Sequence, residues 1–500
     1  MTTSPRSNDP RSNDWRSRAS TLTPTTDAFV DGALMQANAT FTKKSVIGTD
    51  LQISECDQSN VDTAVASART AFEDGRWRDL APRERKERLL AFADAIDEQR
   101  EYLALLETMD VGKPIAQSLS VDAPSAAQTL RWYAEAIDKT YDEIAPTAPD
   151  SLALITREPL GVIGAVVPWN YPMIISMWKI APALAAGNCV LLKPAEQSPL
   201  TGIALAHIAY ESGIPAGVFN AVPGRGAVTG QALGLHPGVD KIAFTGSPET
   251  GARFLSYSAQ SNIKQVSLEL GGKSPHIILE SAKDIDAIAE VIAWGIFYNA
   301  GQTCHAGSRV IVHPDRRDEL LAALSRFLDD FPTGDPLDEN ISMGPLIDSD
   351  QKDRVDRYLQ IAQEDGGQVA VQGRPWPAAP PTFVAPTVLI DVPTSSRADR
   401  EEIFGPVLTI HTARSEDDAI VLANDTEYGL AAAVWSRDIS QAHRVARRVR
   451  AGTVWVNTYD ASDVATPFGG FGRSGFGRDR SLHALDNYTA LKTTWVDLTH

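Results

Sequence analysis

Three short segments hold side chains that could act together on a carbonyl group. Cys304 sits in NAGQTCHAG (299–307), between a helical pattern and an apolar run, with Gly301 and Gly307 on either side. Glycine allows backbone dihedrals that expose a neighbouring side chain. A cysteine held there becomes a nucleophile if its pKa, about 8.5 unperturbed, is lowered or a base stands near. The competing reading is a buried structural thiol, which also suits Cys189 inside an apolar run and Cys56. Glu269 is the acidic residue of QVSLELGG (265–272), either a paired structural charge or a base with a perturbed pKa. Asn170 follows VVPW, where its amide could donate to a developing oxyanion or simply close a local turn.

The elements around these residues predict an α/β chain. Residues 60–140 carry apolar residues at i, i+3 and i+4 with charges between them, the helical pattern. From 160 to 272 five apolar runs recur, at 161–168, 188–194, 218–224, 241–247 and 265–272. Helix-compatible stretches separate them at 174–187, 199–213, 226–236 and 248–260. Strands of that kind alternating with helices predict a doubly wound parallel sheet, covered on both faces. Asn170 then falls at the mouth of the first strand, where such sheets place ligands, and Glu269 inside a strand that ends in Gly271–Gly272. The pattern restarts with SPHIILE (274–280), a helix through Ala300, SRVIVH (308–313) and a helix near 315–331, a second α/β domain. NYTALKTTWVDL (487–498) reads as a terminal strand whose free edge needs a partner.

Length and composition limit the alternatives. Five hundred residues exceed one compact core, so two or three domains are expected. A net charge of −18 argues against a general nucleic-acid or anionic-membrane surface. Three scattered cysteines fit a reducing, cytoplasmic setting rather than a disulfide framework. No uncharged apolar run reaches the roughly 18 residues needed to span a bilayer. Residues 1–26, rich in Ser, Thr and Arg with RSND repeated, lack an apolar targeting segment and read as a disordered tail.

Several motifs fail on inspection. A P-loop ending in LELGGKS would need glycine at position 267, where Ser267 stands, and GRGAVTG (224–230) is one residue too long for GxGxxG. Neither HExxH nor paired CxxC occurs, so no metal is expected. FTGSPETG (244–251) is better placed. Gly246 and Ser247 stand between a strand and a helix start, which is either a phosphate-binding turn or an ordinary βα turn.

Taken together, PWNYP (168–172), KPAEQSP (193–199), FTGSPETG, LELGGKS (268–274), GQTC (301–304), EEIFGP (401–406) and PFGGF (467–471) follow the order of the aldehyde dehydrogenase superfamily. The chain resembles that superfamily over residues 27–498. The resemblance implies a cofactor domain (27–137 and 161–270), a catalytic domain (271–478) and a β arm (138–160 and 479–500) that joins a homodimer or homotetramer. It implies that Cys304 attacks an aldehyde, Asn170 and the Cys304 N–H hold the oxyanion, Glu269 activates water, and Lys179 stands behind the site. It further implies NAD as cofactor, with NADP as a second one the site could accept. Pro168, Trp169 and Gly271 would border that cofactor, Lys193 and Glu196 would meet the adenosine ribose, and Gly246 with Ser247 the phosphates. Glu402 would meet the nicotinamide ribose, with Phe404 beside it. Tyr171, Trp178, His305 and Phe468 would line the aldehyde tunnel. RWYAEAIDK (131–139), WGIFYNAGQTC (294–304), ANDTEYGLAAAVWSRD (423–438) and GRDRSLHALDNYTALKTTW (477–495) resemble the γ-glutamyl-γ-aminobutyraldehyde dehydrogenase group and its broad-specificity bacterial relatives. SVIGTDLQISECD (45–57) departs from the superfamily by lacking its Asn-Pro-Ala-Thr-Gly turn. The loop NTYDASDVATPF (457–468) carries Asp460 and Asp463 and no Lys or Arg, so Asp463 is expected to attract a remote amine on the substrate. The alternatives are a betaine-aldehyde or broad aliphatic or aromatic aldehyde dehydrogenase, and a cysteine acyl-hydrolase that needs no cofactor.

Overall fold

The structure, a computed structural model, describes residues 12–48 and 50–499. The five apolar runs form the parallel centre of an eight-stranded sheet: Val162–Val166, Cys189–Lys193, Phe219–Ala221, Lys241–Thr245 and Gln265–Glu269. All but the last are buried throughout, because helices cover both faces and leave no polar side to alternate with. The edges are antiparallel, made by Ala28–Val30 with Ala33–Met35 on one side and Gly475–Phe476 on the other. These strands are two or three residues long, too short to show a period in sequence.

From the first central strand the chain runs outward to the second and third, then returns to lay the fourth, 241–245, on the first strand's other side. The crevice above strands 162–166 and 241–245 is therefore the topological switch point, where open parallel sheets bind ligands. Segments 167–170 and 246–247 leave those two strands at that crevice.

A second sheet of seven strands is parallel apart from its edge strand Gln368–Gln372. Its side chains alternate between two apolar layers. Ile277, Ile311 and Val434 face one, while Ile278, Val310 and Ala433 face the other.

The terminal strand, Thr489–Asp497, finds a partner within the chain: it pairs antiparallel with Ser151–Pro159 over nine residues. Its other edge ends a three-stranded sheet completed by Glu143–Ala145. The tail expected to be disordered over 1–26 contains a helix, Ser12–Thr21. Trp15 anchors it, 5% exposed among Ala104, Leu105, Met109, Ile115 and Leu337, and its indole N–H donates to Glu339. One large aromatic buries enough area to dock an otherwise polar helix. Residues 1–11 of that tail lie outside the described residues. No helix among the described residues is long and apolar enough to cross a membrane.

Candidate active site

Cys304 follows the helix Ile285–Phe297 after a tight reversal. Asn299, Ala300 and Gly301 take φ of 49°, 53° and 72° in succession. Left-handed backbone is unfavourable for Asn and more so for Ala, so the surroundings must impose it. They do so through buried amides. Asn299 donates to the carbonyls of Asn170 (3.0 Å) and Gln302 (3.3 Å), Gln302 Nε2 donates to Asn299 O (3.0 Å), and Gln302 Oε1 accepts from the Ile347 N–H (3.0 Å). A Cβ on Gly301 would lie 2.2 Å from the Gly405 carbonyl, so only glycine fits. Gly307 has no left-handed φ; instead the His276 ring fills the place of its side chain.

Two cavities meet at this loop. The first, about 640 Å³, opens at the switch point. Pro168, Trp169 and Asn170 border it from one strand end and Gly246 with Ser247 from the other. Ser247 caps the helix Pro248–Gln260, accepting from the Thr250 N–H at 3.2 Å, so the free N–H groups of that helix face the cavity. Opposite lie Gly271, Glu402 and Phe404. Glu402 accepts from the Gly272 N–H at 3.0 Å, and burial raises its pKa to about 7. A Cβ at Gly271 would meet the Glu402 carboxylate at 2.2 Å. Phe404, itself left-handed at φ 63°, meets Trp169 edge-on at 5.1 Å.

The second cavity, about 550 Å³, is walled by Tyr171, Trp178, His305 and Asp463 from the sequence expectation. Trp294, Tyr298 and Tyr459 add aromatic surface that the sequence reading did not single out, and Glu290, Asp460 and Arg480 add charge. Among the described residues only Ile175 and Cys304 border both cavities, and of these only the thiol can react. Burial, then Glu269 and Glu402, push the Cys304 thiol pKa well up. Cys56 and Cys189, both unpaired and fully buried, are pushed up to about 12 and border neither cavity.

Asn170 is buried and donates from Nδ2 to the Gln302 carbonyl at 2.8 Å; the second N–H of this amide is free to face the first cavity, which it borders. Glu269 lies behind the cavity walls, 4% exposed, with Oε1 lacking any hydrogen-bond partner. Burial and the Asp479 carboxylate raise its pKa well above the usual range, while Lys179 and Arg478 oppose the shift.

Lys179 borders neither cavity: it lies behind the walls, buried in an ion pair with Asp479. Lys193 and Glu196 lie outside the first cavity's wall and meet each other at 3.3 Å. Lys193 ends and Glu196 follows the strand Cys189–Lys193, which pairs with Val162–Val166, and the Lys193 carbonyl accepts from the Val167 N–H at 3.2 Å, next to the cavity residue Pro168. Phe468 is buried and packs on the wall residues Trp178 at 5.2 Å and His305 at 5.5 Å.

Residues 41–494 match the model of the aldehyde dehydrogenase family. The NADP/NAD-dependent aldehyde dehydrogenase PuuC of Escherichia coli is 46% identical over 488 residues, covering 97% of this chain and 98% of that protein. An indole-3-acetaldehyde dehydrogenase solved with NAD+ superposes with a TM-score of 0.96 at 46% identity, covering 98% of this chain and all of that one. A γ-glutamyl-γ-aminobutyraldehyde dehydrogenase of Burkholderia cenocepacia gives 0.95 at 47%, with the same coverage. This chain belongs to the aldehyde dehydrogenase family and is an oxidoreductase acting on aldehydes.

Proposed function

We propose that Cys304 forms the covalent bond to the aldehyde and that Glu269 drives its hydrolysis to the acid. The observation that carries this reading is the thiol's place at the junction of two cavities, one for each reactant. Cys304 Sγ adds to the aldehyde carbon. The resulting oxyanion is held by the free N–H of Asn170 and the Cys304 backbone N–H, donors that are worth most in a water-poor site. A thioester on Cys304 remains after oxidation. Glu269 takes a proton from water as that water attacks, a task suited to a carboxylate of raised basicity.

The first cavity fits a dinucleotide. It has the volume of a cofactor site, a helix N-terminus for phosphates, a carboxylate for ribose hydroxyls, and a buried Thr245 hydroxyl with no partner. When bound, NAD supplies the hydride acceptor; NADP is the second candidate, supported by PuuC's use of both. We assign 27–137 and 161–270 to cofactor binding and 271–478 to catalysis.

For the aldehyde we propose a long substrate with a charged remote end, an amino- or γ-glutamylamino-aldehyde. Asp463 and Glu290 support an ammonium group, but Arg480 on the same wall is a cation that the loop's own sequence does not contain. A remote end bearing both charges, as a γ-glutamyl group does, suits that wall better than a bare amine. The homologous indole-3-acetaldehyde enzyme shows that equal overall identity accompanies very different aldehydes, so the wall residues carry this argument.

We also propose a homo-oligomer, dimer or tetramer, formed through residues 138–160 and 479–500. The three-stranded sheet exposes Leu491 and Trp495 on one face and Ile144 and Val496 on the other, apolar side chains that a second copy would cover. Three unpaired thiols suit the cytoplasm, to which we assign the protein.

Assays of an aldehyde panel with NAD and with NADP test the substrate and cofactor together. Cys304→Ala should abolish oxidation while NAD still binds by calorimetry. Substantial turnover in that variant would remove the covalent route.

A further inference from the structure

The residue after the nucleophile forms a second functional contact. His305 Nδ1 lies 3.7 Å from Cys304 Sγ, and on the ring's other side Nε2 lies 2.9 Å from Asp460 Oδ1. A carboxylate only accepts, so Nε2 carries the proton and the Nδ1 lone pair faces the thiol. The loop that brings Asp460 also fixes the histidine's backbone, because Tyr459 O–H donates to the His305 carbonyl. Asp460 itself has φ 56°, an unfavourable backbone that aims its carboxylate at the ring. Phe468 stands edge-on to the imidazole at 5.5 Å and Trp455 flanks it at 6.2 Å, limiting ring rotation.

We propose that His305 is a second catalytic base, taking the Cys304 proton at Nδ1 while Asp460 acts as a positioning residue that sets the tautomer. This rests on Cys304 being the nucleophile and deepens that reading. The charged groups acting on the thiol are carboxylates: Glu269 from the eight-stranded sheet, Glu402 from the opposite wall, and Asp460. Glu290, Asp463 and Arg480 share the cavity that His305 borders. A buried thiol among carboxylates does not ionise unaided, and Glu269 makes no hydrogen bond to it. A base in contact solves that problem as in any cysteine–histidine–carboxylate array.

The step balances. The Sγ–H bond breaks and the Sγ–C bond forms, the carbonyl π pair moves onto oxygen, and the proton rests on Nδ1. The imidazolium, held beside Asp460, releases that proton to solvent through the open cavity before the next turnover. Two proton transfers thus go to two bases: His305 serves the thiol and Glu269 serves the water.

Iodoacetamide alkylation of Cys304, followed by mass spectrometry between pH 5 and 10, reads the thiol directly without substrate or cofactor. Wild-type protein should show an inflection that belongs to the imidazole and not to the thiol itself. His305→Ala should lose that inflection and react about a hundredfold more slowly at neutral pH, as loss of a general base does. Added imidazole should restore part of the rate. Asp460→Asn should slow alkylation about tenfold, in line with one charge-assisted hydrogen bond, and it reads the same array if His305→Ala does not fold. Glu269→Gln should keep the inflection. Profiles of His305→Ala or Asp460→Asn that superimpose on wild type would overturn the proposal. So would uniform slowing with the inflection intact, or an inflection lost only in Glu269→Gln. The underlying reading fails separately, if fully alkylated Cys304 leaves aldehyde oxidation intact.

Discussion

Glu269→Gln separates the two halves of the reaction. The substitution keeps size and removes basicity from a group whose Oε1 has no hydrogen-bond partner, so little else is lost. General-base assistance contributes about 10²–10⁴ in rate, or about 2.7–5.5 kcal/mol of barrier. All of it should fall on hydrolysis of the thioester, because the thiol's proton is taken elsewhere. Rapid mixing with aldehyde and NAD should give a burst of about one reduced cofactor per site, followed by turnover slowed at least a hundredfold. Mass spectrometry of quenched protein should find Cys304 acylated.

The pH profile of deacylation adds a second reading. Burial and Asp479 raise the Glu269 pKa, so wild-type deacylation should climb with pH above the ordinary carboxylate range, and the Gln variant should lose that climb. Stability moves the other way. A carboxyl with a raised folded pKa holds its proton more tightly when folded. Its destabilising effect therefore grows as pH rises from the unfolded value towards the folded one. Gln escapes that penalty, so the variant should melt at or above the wild-type temperature at pH 8. If burst and steady rate fall together, with no acyl-enzyme present and no loss of fold, another group activates the water.

Glu402, raised to about 7 by burial, is mostly protonated at pH 6 and ionised at pH 8. NAD affinity, followed by tryptophan fluorescence, should strengthen several-fold across that interval, and Glu402→Gln should flatten the change. Trp15→Ala should cost about 3 kcal/mol of docking, roughly a hundredfold in the opening equilibrium of the helix Ser12–Thr21. Limited trypsin digestion at Arg16 and Arg18 should then accelerate, with aldehyde oxidation unchanged. Asp463→Asn should raise KM for γ-glutamylamino-aldehydes and leave hexanal oxidation nearly unchanged. Equal losses on both substrates would refute a charge role for Asp463.

What the sequence revealed and what it hid follow from the range of the interactions. Asn170, Gly246 and Ser247 were legible because a parallel sheet sends side chains to strand ends and long buried runs mark those ends, whereas Cys304, which precedes a strand, stood out by its flanking glycines. The edge strands at 28–30, 33–35 and 475–476 were not legible, since two or three residues show no period. Lys193 and Glu196 also stand at a strand end, that of the strand paired with Val162–Val166. Trp15 looked like one aromatic in a polar tail, and its significance appeared only with the pocket formed by 104–115 and Leu337.

The charges around the tunnel show the same limit more sharply. In sequence, 457–468 is an acidic loop, which suggested an amine-seeking wall. In the folded chain Arg480 donates to the Asp463 carbonyl and borders the same cavity, while Asp460 is engaged by a histidine 155 residues earlier. One carboxylate is thus committed to His305 and the other shares its wall with a guanidinium. The loop's net charge, which a sequence reports, is not the potential a substrate meets. That potential depends on which charges are already paired, and pairing over such separations is set by the two sheets that bring Cys304, Asn170 and Glu269 to one seam.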